Sequence, residues 1–287
     1  MIIYTDLYNR TKNYSIPSDI IKNIERKYGI TITTKINPKA EIYWGDKLTN
    51  NHLLEMPNIK WIHLSKTGFG KFNLPSQITV TNTPESSKGV DEYAVAGILY
   101  LLRGIDRMTL DRSSFDQHIN SIIPFNEVKC LIVGHGRIGK SVNKLLSALN
   151  MNVDFVTRTV TPKLDYSKYN FIINALPLTN ETKDYFDVKI FGRMNKNSYI
   201  INVGRGETIN EHHLYKAVKS GQIRGAFLDV VKEEPINKDN KLLSLNNIYI
   251  SPHIANAMYN SVDTQVKSFT TNLEKYKNNK KLKNIIL

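Results

Sequence analysis

The chain has 287 residues, of which 41% are hydrophobic and 23% charged, and carries a formal net charge of +13. That length accommodates two domains of ordinary size, and the composition is that of a soluble globular protein. No apolar run reaches the roughly 18 residues of a membrane span, so no membrane partner is expected. The single cysteine, Cys130, excludes an internal disulfide. Lysines are spread along the whole chain and are dense only from Lys275 to Lys283, and no zinc-ligand spacing occurs. Nucleic acid and metal are therefore not expected as partners, and the basic surface suits small anionic ligands. The start, Met1 to Asp6, reads as a first strand rather than a secretory signal, which points to a cytoplasmic enzyme.

Residues 1 to about 98 alternate short apolar runs with polar helical stretches. Ile2-Ile3-Tyr4, Thr31-Ile32-Thr33, Glu41 to Trp44 and Trp61 to Leu64 are strand candidates. Ser18 to Tyr28 and Thr49 to Met56 read as helices between them, with Ser18 and Thr49 as N-caps. This βαβ rhythm predicts a parallel sheet covered by helices. Ser87 to Arg103 follows as one long helix, apolar through Val90, Ala94, Ile98, Leu101 and Leu102. A polar connection, Asp106 to Asn120, leads to a second unit with the same rhythm. Its strands are Val128–Val133, Val153–Val156, Phe171–Ile173, Tyr199–Val203, Ala226–Val230 and Ile248–Ile250. Six strands interleaved with helices predict a doubly wound sheet. Met258 to Lys277 is a final basic helix. The expected fold class is α/β, with two Rossmann-like or flavodoxin-like domains of parallel sheet.

The chemistry centres on Val133-Gly134-His135-Gly136-Arg137-Ile138-Gly139, between a strand and a helix. In a Gly-x-Gly-x-x-Gly at that place, the first glycine makes the tight turn and the second lets backbone approach a pyrophosphate. The third packs the helix on the strand. The helix N-terminus then faces the anion. About 20 residues further on, an NAD site places an acid for the ribose hydroxyls. Here Thr157, Arg158 and Thr159 stand instead, and Asp154 lies earlier, within the strand. A guanidinium with two hydroxyls suits a 2′-phosphate, so NADP(H) is favoured over NAD(H). An exposed loop with a chance arginine is the competing reading.

Four further segments follow strands on the side where such sheets bind ligands. They are Asn174 to Thr179, Asn202-Val203-Gly204-Arg205-Gly206-Glu207, Leu228-Asp229-Val230 through Glu234-Pro235, and Ser251-Pro252-His253-Ile254-Ala255. These motifs, in this order, resemble the D-2-hydroxyacid dehydrogenase family, including its glyoxylate/hydroxypyruvate reductases. The resemblance implies hydride transfer between NADP(H) and a small 2-oxo acid or D-2-hydroxy acid. It implies that His253 is the general acid/base, Glu234 its carboxylate partner and Arg205 the anchor of the substrate carboxylate. Gly134, Gly136, Arg137, Ile138, Gly139, Leu176, Pro177, Val203, Gly204 and Asp229 are implied to bind cofactor, with Asp229 beside the nicotinamide ring. Lys66, Thr67 and Gly68, in the loop Ser65 to Gly70, are implied to hold substrate together with Arg205 and His253. The resemblance further implies a substrate domain of 1–98 plus 256–287, a dinucleotide-binding domain of 99–255, and a homodimer with the helix from Ser87 as hinge and dimer element.

Three departures from the family pattern bear on substrate size and subunit contacts. Gly70 stands where an aspartate is common, Asn256 where an aromatic residue is common, and the connection 104–127 is short and lacks a tryptophan. The alternative function is a cofactor-sensing binding protein of the C-terminal-binding-protein type. Against it, the chain has no long disordered tails to serve a scaffold.

Overall fold

The computed structural model describes residues 1–7, 15–66, 74–84, 89–105, 122–156, 164–257 and 261–287. Two compact units emerge, Met1–Lys88 with Ala257–Leu287, and Gly89–Asn256.

In the first unit, β1 (Ile2–Thr5), β2 (Thr31–Thr33), β3 (Ile42–Gly45), β4 (Trp61–Leu64) and β5 (Thr79–Asn82) form a parallel sheet of order β2-β1-β3-β4-β5. That 2-1-3-4-5 order is the flavodoxin-like one. Both faces are covered, which explains why β3 and β4 are wholly buried. Alternation divides β3: Ile42 and Trp44 join one core, Tyr43 the other. The first core also takes in α1 (Ser18–Tyr28) and the C-terminal helix α7 (Ser261–Lys277). The Phe269 ring of α7 stacks on Trp44, with centroids 4.0 Å apart.

The expected cap at Ser18 is corrected by one residue. Pro17 holds the N-cap and Ser18 is already helical, because the fixed φ of proline suits the entry to a helix. Thr49 does cap α2 (Asn50–Glu55), accepting the His52 N–H at 3.2 Å. The strand β5 had no counterpart in the sequence reading. Its run Thr79-Val80-Thr81-Asn82 is short and half polar. The chain's own end supports it: the Ile286 N–H donates to the Val80 carbonyl at 2.9 Å, and Val80 N–H to Leu287.

His63, on β4, is fully buried between the Thr81 and Thr83 hydroxyls at 2.7 and 3.2 Å. Burial pushes its pKa down to about 3, so it is a neutral core residue.

The second unit begins with α3 (Val90–Leu102), which lies wholly within it. The expected start at Ser87 lies outside the described residues. Then come β6 (Lys129–Val133), α4 (Arg137–Ala148), β7 (Asn152–Val156), β8 (Phe171–Asn174), α5 (Val188–Phe191), β9 (Tyr199–Asn202), α6 (Glu211–Lys219), β10 (Gly225–Leu228) and β11 (Ile248–Ile250). All six strands are parallel, in the order β11-β10-β9-β8-β6-β7. Cys130 and Ile132 face a core shared with α3 and α4, while Leu131 and Val133 face the opposite one. The chain runs outward both ways from β6, so the carboxyl ends of β6 and β8 flank a topological switch point. Ligands bind at such a point in open α/β sheets. Among the described residues, no helix is long and apolar enough to cross a membrane.

Candidate active site

The glycine turn follows β6 at that switch point. Gly134 has φ +111°, and a Cβ there would lie 2.6 Å from the Ala175 carbonyl oxygen. Its N–H donates to the Val156 carbonyl at 3.0 Å, tying the turn to the end of β7. A Cβ on Gly139 would lie 2.0 Å from the Gly134 oxygen, so this glycine lets α4 sit against the turn. Among the described residues, a Cβ on Gly136 would meet nothing within 4 Å. The middle glycine therefore faces open space rather than protein. It is also the N-cap of α4, with no side-chain cap, and the first turn carries no acid. An uncapped helix start behind an open backbone turn fits the diphosphate of a dinucleotide.

The loops after β8, β9 and β10 are tied together below the surface. The Asn174 side-chain amide donates to Asn202 Oδ1 at 2.9 Å and to the Thr208 hydroxyl at 2.6 Å. Asn202 Oδ1 also accepts the Gly204 N–H at 3.1 Å, and Asn174 Oδ1 accepts the Leu176 N–H at 3.1 Å. These asparagines are buried at the ends of apolar strands. They fix where Leu176, Val203 and Gly204 lie. Leu176 and Val203 are buried, and Pro177 is exposed. The sequence signal for both asparagines is an amide closing each apolar run, where loop N–H groups need an acceptor.

Arg205 follows, exposed between the buried Gly204 and Gly206, its guanidinium donating to the Gly204 carbonyl at 2.7 Å. Next to it, a Cβ on Gly206 would fall 2.0 Å from the Val231 carbonyl. Only glycine allows the Arg205 loop to press against the loop that carries Glu234. That second loop is clamped by Glu211, which accepts the Lys232 N–H at 2.6 Å and the Asn240 amide at 3.1 Å.

Glu234 reaches His253 directly: Oε2 lies 2.7 Å from Nδ1. Its other oxygen accepts the Val231 N–H at 3.2 Å. The carboxylate makes Nδ1 the donor and leaves Nε2 for another partner. The Glu234 hydrogen bond raises the His253 pKa against the opposing effect of burial; the charges of Glu234 and Asp229 add to the rise, and Arg205 opposes it. Partial burial alone would raise Glu234. The His253 bond and charge, the Val231 N–H and the Arg205 charge outweigh it, so the carboxylate sits below its ordinary value. Both shifts favour an ion pair, and Arg205 is felt by both members.

His253 sits at φ +55°, in the left-handed region. Its N–H donates to the Asp229 carbonyl at 3.0 Å. The buried Asp229 carboxylate accepts from the Ser251 hydroxyl at 2.8 Å, from Ile254 N–H at 2.8 Å and from Ala255 N–H. Asp229 and Ser251 thus hold the histidine loop. The structure brings together Arg205, Glu234, His253 and Asp229 within the second unit. Lys66 is an exposed residue after β4 in the first. Thr67, Gly68 and Gly70, and also Thr157, Arg158 and Thr159, lie outside the described residues.

Residues 95–255, the span holding the glycine turn, Arg205, Asp229, Glu234 and His253, match the family described as D-isomer specific 2-hydroxyacid dehydrogenase, NAD binding domain. The chain belongs to that family. It is an NAD(P)-dependent oxidoreductase of 2-hydroxy and 2-oxo acids. Among relatives of this dehydrogenase, glyoxylate/hydroxypyruvate reductase A of Arabidopsis thaliana is 27% identical over 246 residues, covering 79% of this chain and 78% of its own. Two solved structures share the fold. D-lactate dehydrogenase of Aquifex aeolicus, complexed with NAD and lactic acid, superposes with a TM-score of 0.80 at 24% identity, covering 97% of this chain and 96% of its own. A D-isomer specific 2-hydroxyacid dehydrogenase of Xanthobacter autotrophicus, complexed with NADPH, gives 0.81 at 19% identity, covering 100% of this chain and 98% of its own.

Proposed function

We propose that this dehydrogenase reduces a small 2-oxo acid to the D-2-hydroxy acid, with glyoxylate and hydroxypyruvate as first candidates, and that it uses NADPH in preference to NADH. The observation that supports the reading best is the 2.7 Å bond between His253 Nδ1 and Glu234 Oε2. Pairing of this kind raises the proton affinity of the imidazole, so that Nε2 can hold a proton and pass it to an oxygen that gains charge. His253 donates that proton to the carbonyl oxygen in reduction and takes it from the hydroxyl in oxidation. Arg205 holds the carboxylate of the substrate and polarises its carbonyl. Glu234 stabilises the imidazolium, and Asp229 keeps its loop in place. The glycine turn and the start of α4 hold the diphosphate, and Arg158, where an acid is absent, takes a 2′-phosphate. The reduced nicotinamide, when bound, supplies the hydride. The Arabidopsis relative's name supports the substrate class.

The first unit is assigned to substrate binding and the second to cofactor binding. The assembly is assigned as a cytoplasmic homodimer, which sedimentation of the purified protein checks. The activity is tested with a panel of 2-oxo acids, each mixed with NADPH and followed by loss of nicotinamide absorbance. His253→Ala should abolish nearly all turnover while NADPH binding stays close to normal. Turnover retained in that variant rejects the acid/base role.

A further inference from the structure

The glycine turn carries a side chain that the reaction does not use. His135, between Gly134 and Gly136, is exposed, and its ring lies against Phe155, with centroids 4.6 Å apart and planes at 60°. Phe155 is the penultimate residue of β7 and is 36% exposed. β7 is an edge strand, and its alternation sends Asp154 and Phe155 to opposite faces. Asp154 accepts the Tyr169 hydroxyl at 2.8 Å, on the side of the core that contains Tyr169. Phe155 and the imidazole it supports therefore lie on the other face, where α4 begins.

The end of the second strand of such a sheet is where the adenosine ribose of a dinucleotide rests. His135 has its backbone in the glycine turn and its imidazole against Phe155, next to the last residue of β7. We propose that the His135 imidazole, held by Phe155, is a binding group for the phosphate on the 2′-position of the ribose, and so a determinant of NADPH over NADH. An imidazole N–H donated to a phosphate oxygen is a charge-assisted bond; a plain ribose hydroxyl gives no comparable gain. No acid is present in the first turn of α4 to repel the phosphate. This inference rests on the proposed use of NADPH.

Binding is measured without turnover, by fluorescence titration of NADPH and NADH and calorimetry of 2′,5′-ADP and ADP. His135→Phe keeps a ring against Phe155 and removes the N–H donors. It should weaken NADPH and 2′,5′-ADP about tenfold, the size of one charge-assisted hydrogen bond at an open site, and leave NADH and ADP within about twofold. His135→Asn, too short to reach along the strand, should give the same selective loss. Equal weakening of phosphorylated and unphosphorylated ligands, or no change in either variant, overturns the proposal. The cofactor preference is judged separately, on the unaltered protein. NADH bound as tightly as NADPH there rejects the NADPH reading, while the variants' effect on 2′,5′-ADP still decides the role of His135.

Discussion

The Asp229 carboxylate and the Ala255 backbone are joined by two contacts, the Ala255 N–H lying 3.1 Å from Oδ1 and 3.0 Å from Oδ2. With the Asp229 carbonyl accepting the His253 N–H, the residue grips the histidine loop on both sides of Pro252-His253-Ile254. That grip holds His253 at a positive φ, which a non-glycine residue adopts at a cost.

Asp229→Asn keeps the size of the side chain but exchanges one acceptor for a donor facing N–H groups. The buried mismatch should lower unfolding free energy by about 1–3 kcal/mol, read from denaturant midpoints. Turnover should fall by roughly ten- to a hundredfold as the imidazole loses its position, with a smaller change in NADPH affinity. An unaltered midpoint together with unaltered turnover would remove the anchoring role.

The paired shifts of His253 and Glu234 set the pH behaviour. Reduction needs the imidazolium, so kcat/KM for the oxo acid should be flat at low pH and fall as pH rises through the raised His253 value. Oxidation needs the neutral ring and should show the reverse. In Glu234→Gln the carboxylate charge is gone and the His253 pKa drops, so the falling limb for reduction should move to lower pH. A limb that stays in place shows that another group titrates. The ion pair's own stabilisation is fully present between the ordinary carboxylate and imidazole values. It is lost as pH falls through the lowered Glu234 value or rises through the raised His253 value. It is small, because the side chains are 35% and 48% exposed.

What was legible in the sequence follows from how local its physics is. The apolar runs of β3, β4, β6 and β8 announce strands buried on both faces, and the glycine turn announces its own geometry. Resemblance, rather than periodicity, supplied His253, Glu234 and Arg205; that Glu234 comes within 2.7 Å of His253 depends on two loops meeting. The strand β5 was hidden because its partners lie about 20 residues back and at the chain's end, so its own pattern is weak. The holding roles of Ser251, Thr208 and Glu211 are illegible in sequence for a related reason. A hydroxyl or carboxylate that holds another loop's backbone looks, in sequence, like any surface polar residue.

The glycines of the turn should separate fold from binding. Gly136→Ala adds a methyl into open space at φ −78°, which alanine adopts freely. The variant should fold with an unchanged midpoint and bind either dinucleotide much more weakly, since the methyl occupies the approach of the diphosphate. Gly139→Ala forces a Cβ to within 2.0 Å of backbone oxygen, so α4 must shift. Its unfolding midpoint should drop along with affinity. Titration of nicotinamide fluorescence beside thermal unfolding distinguishes the two. Normal affinity in Gly136→Ala would place the diphosphate elsewhere.

Glu211 acts one loop further out. It opens α6 and clamps the Lys232 N–H and the Asn240 amide, and Glu234 lies between those two points. In Glu211→Ala both ends of that loop are released, so Glu234 spends less time against His253. Turnover should fall by about tenfold, and the alkaline limb of reduction should move to lower pH, in the same direction as in Glu234→Gln. Glu211→Gln retains an acceptor for the Lys232 N–H and should recover most of the rate. A purely structural role predicts a lower midpoint in Glu211→Ala with the pH limb unmoved. The two outcomes separate because a loosened carboxylate changes the imidazole's proton affinity, whereas a partly unfolded population only lowers the amount of active enzyme.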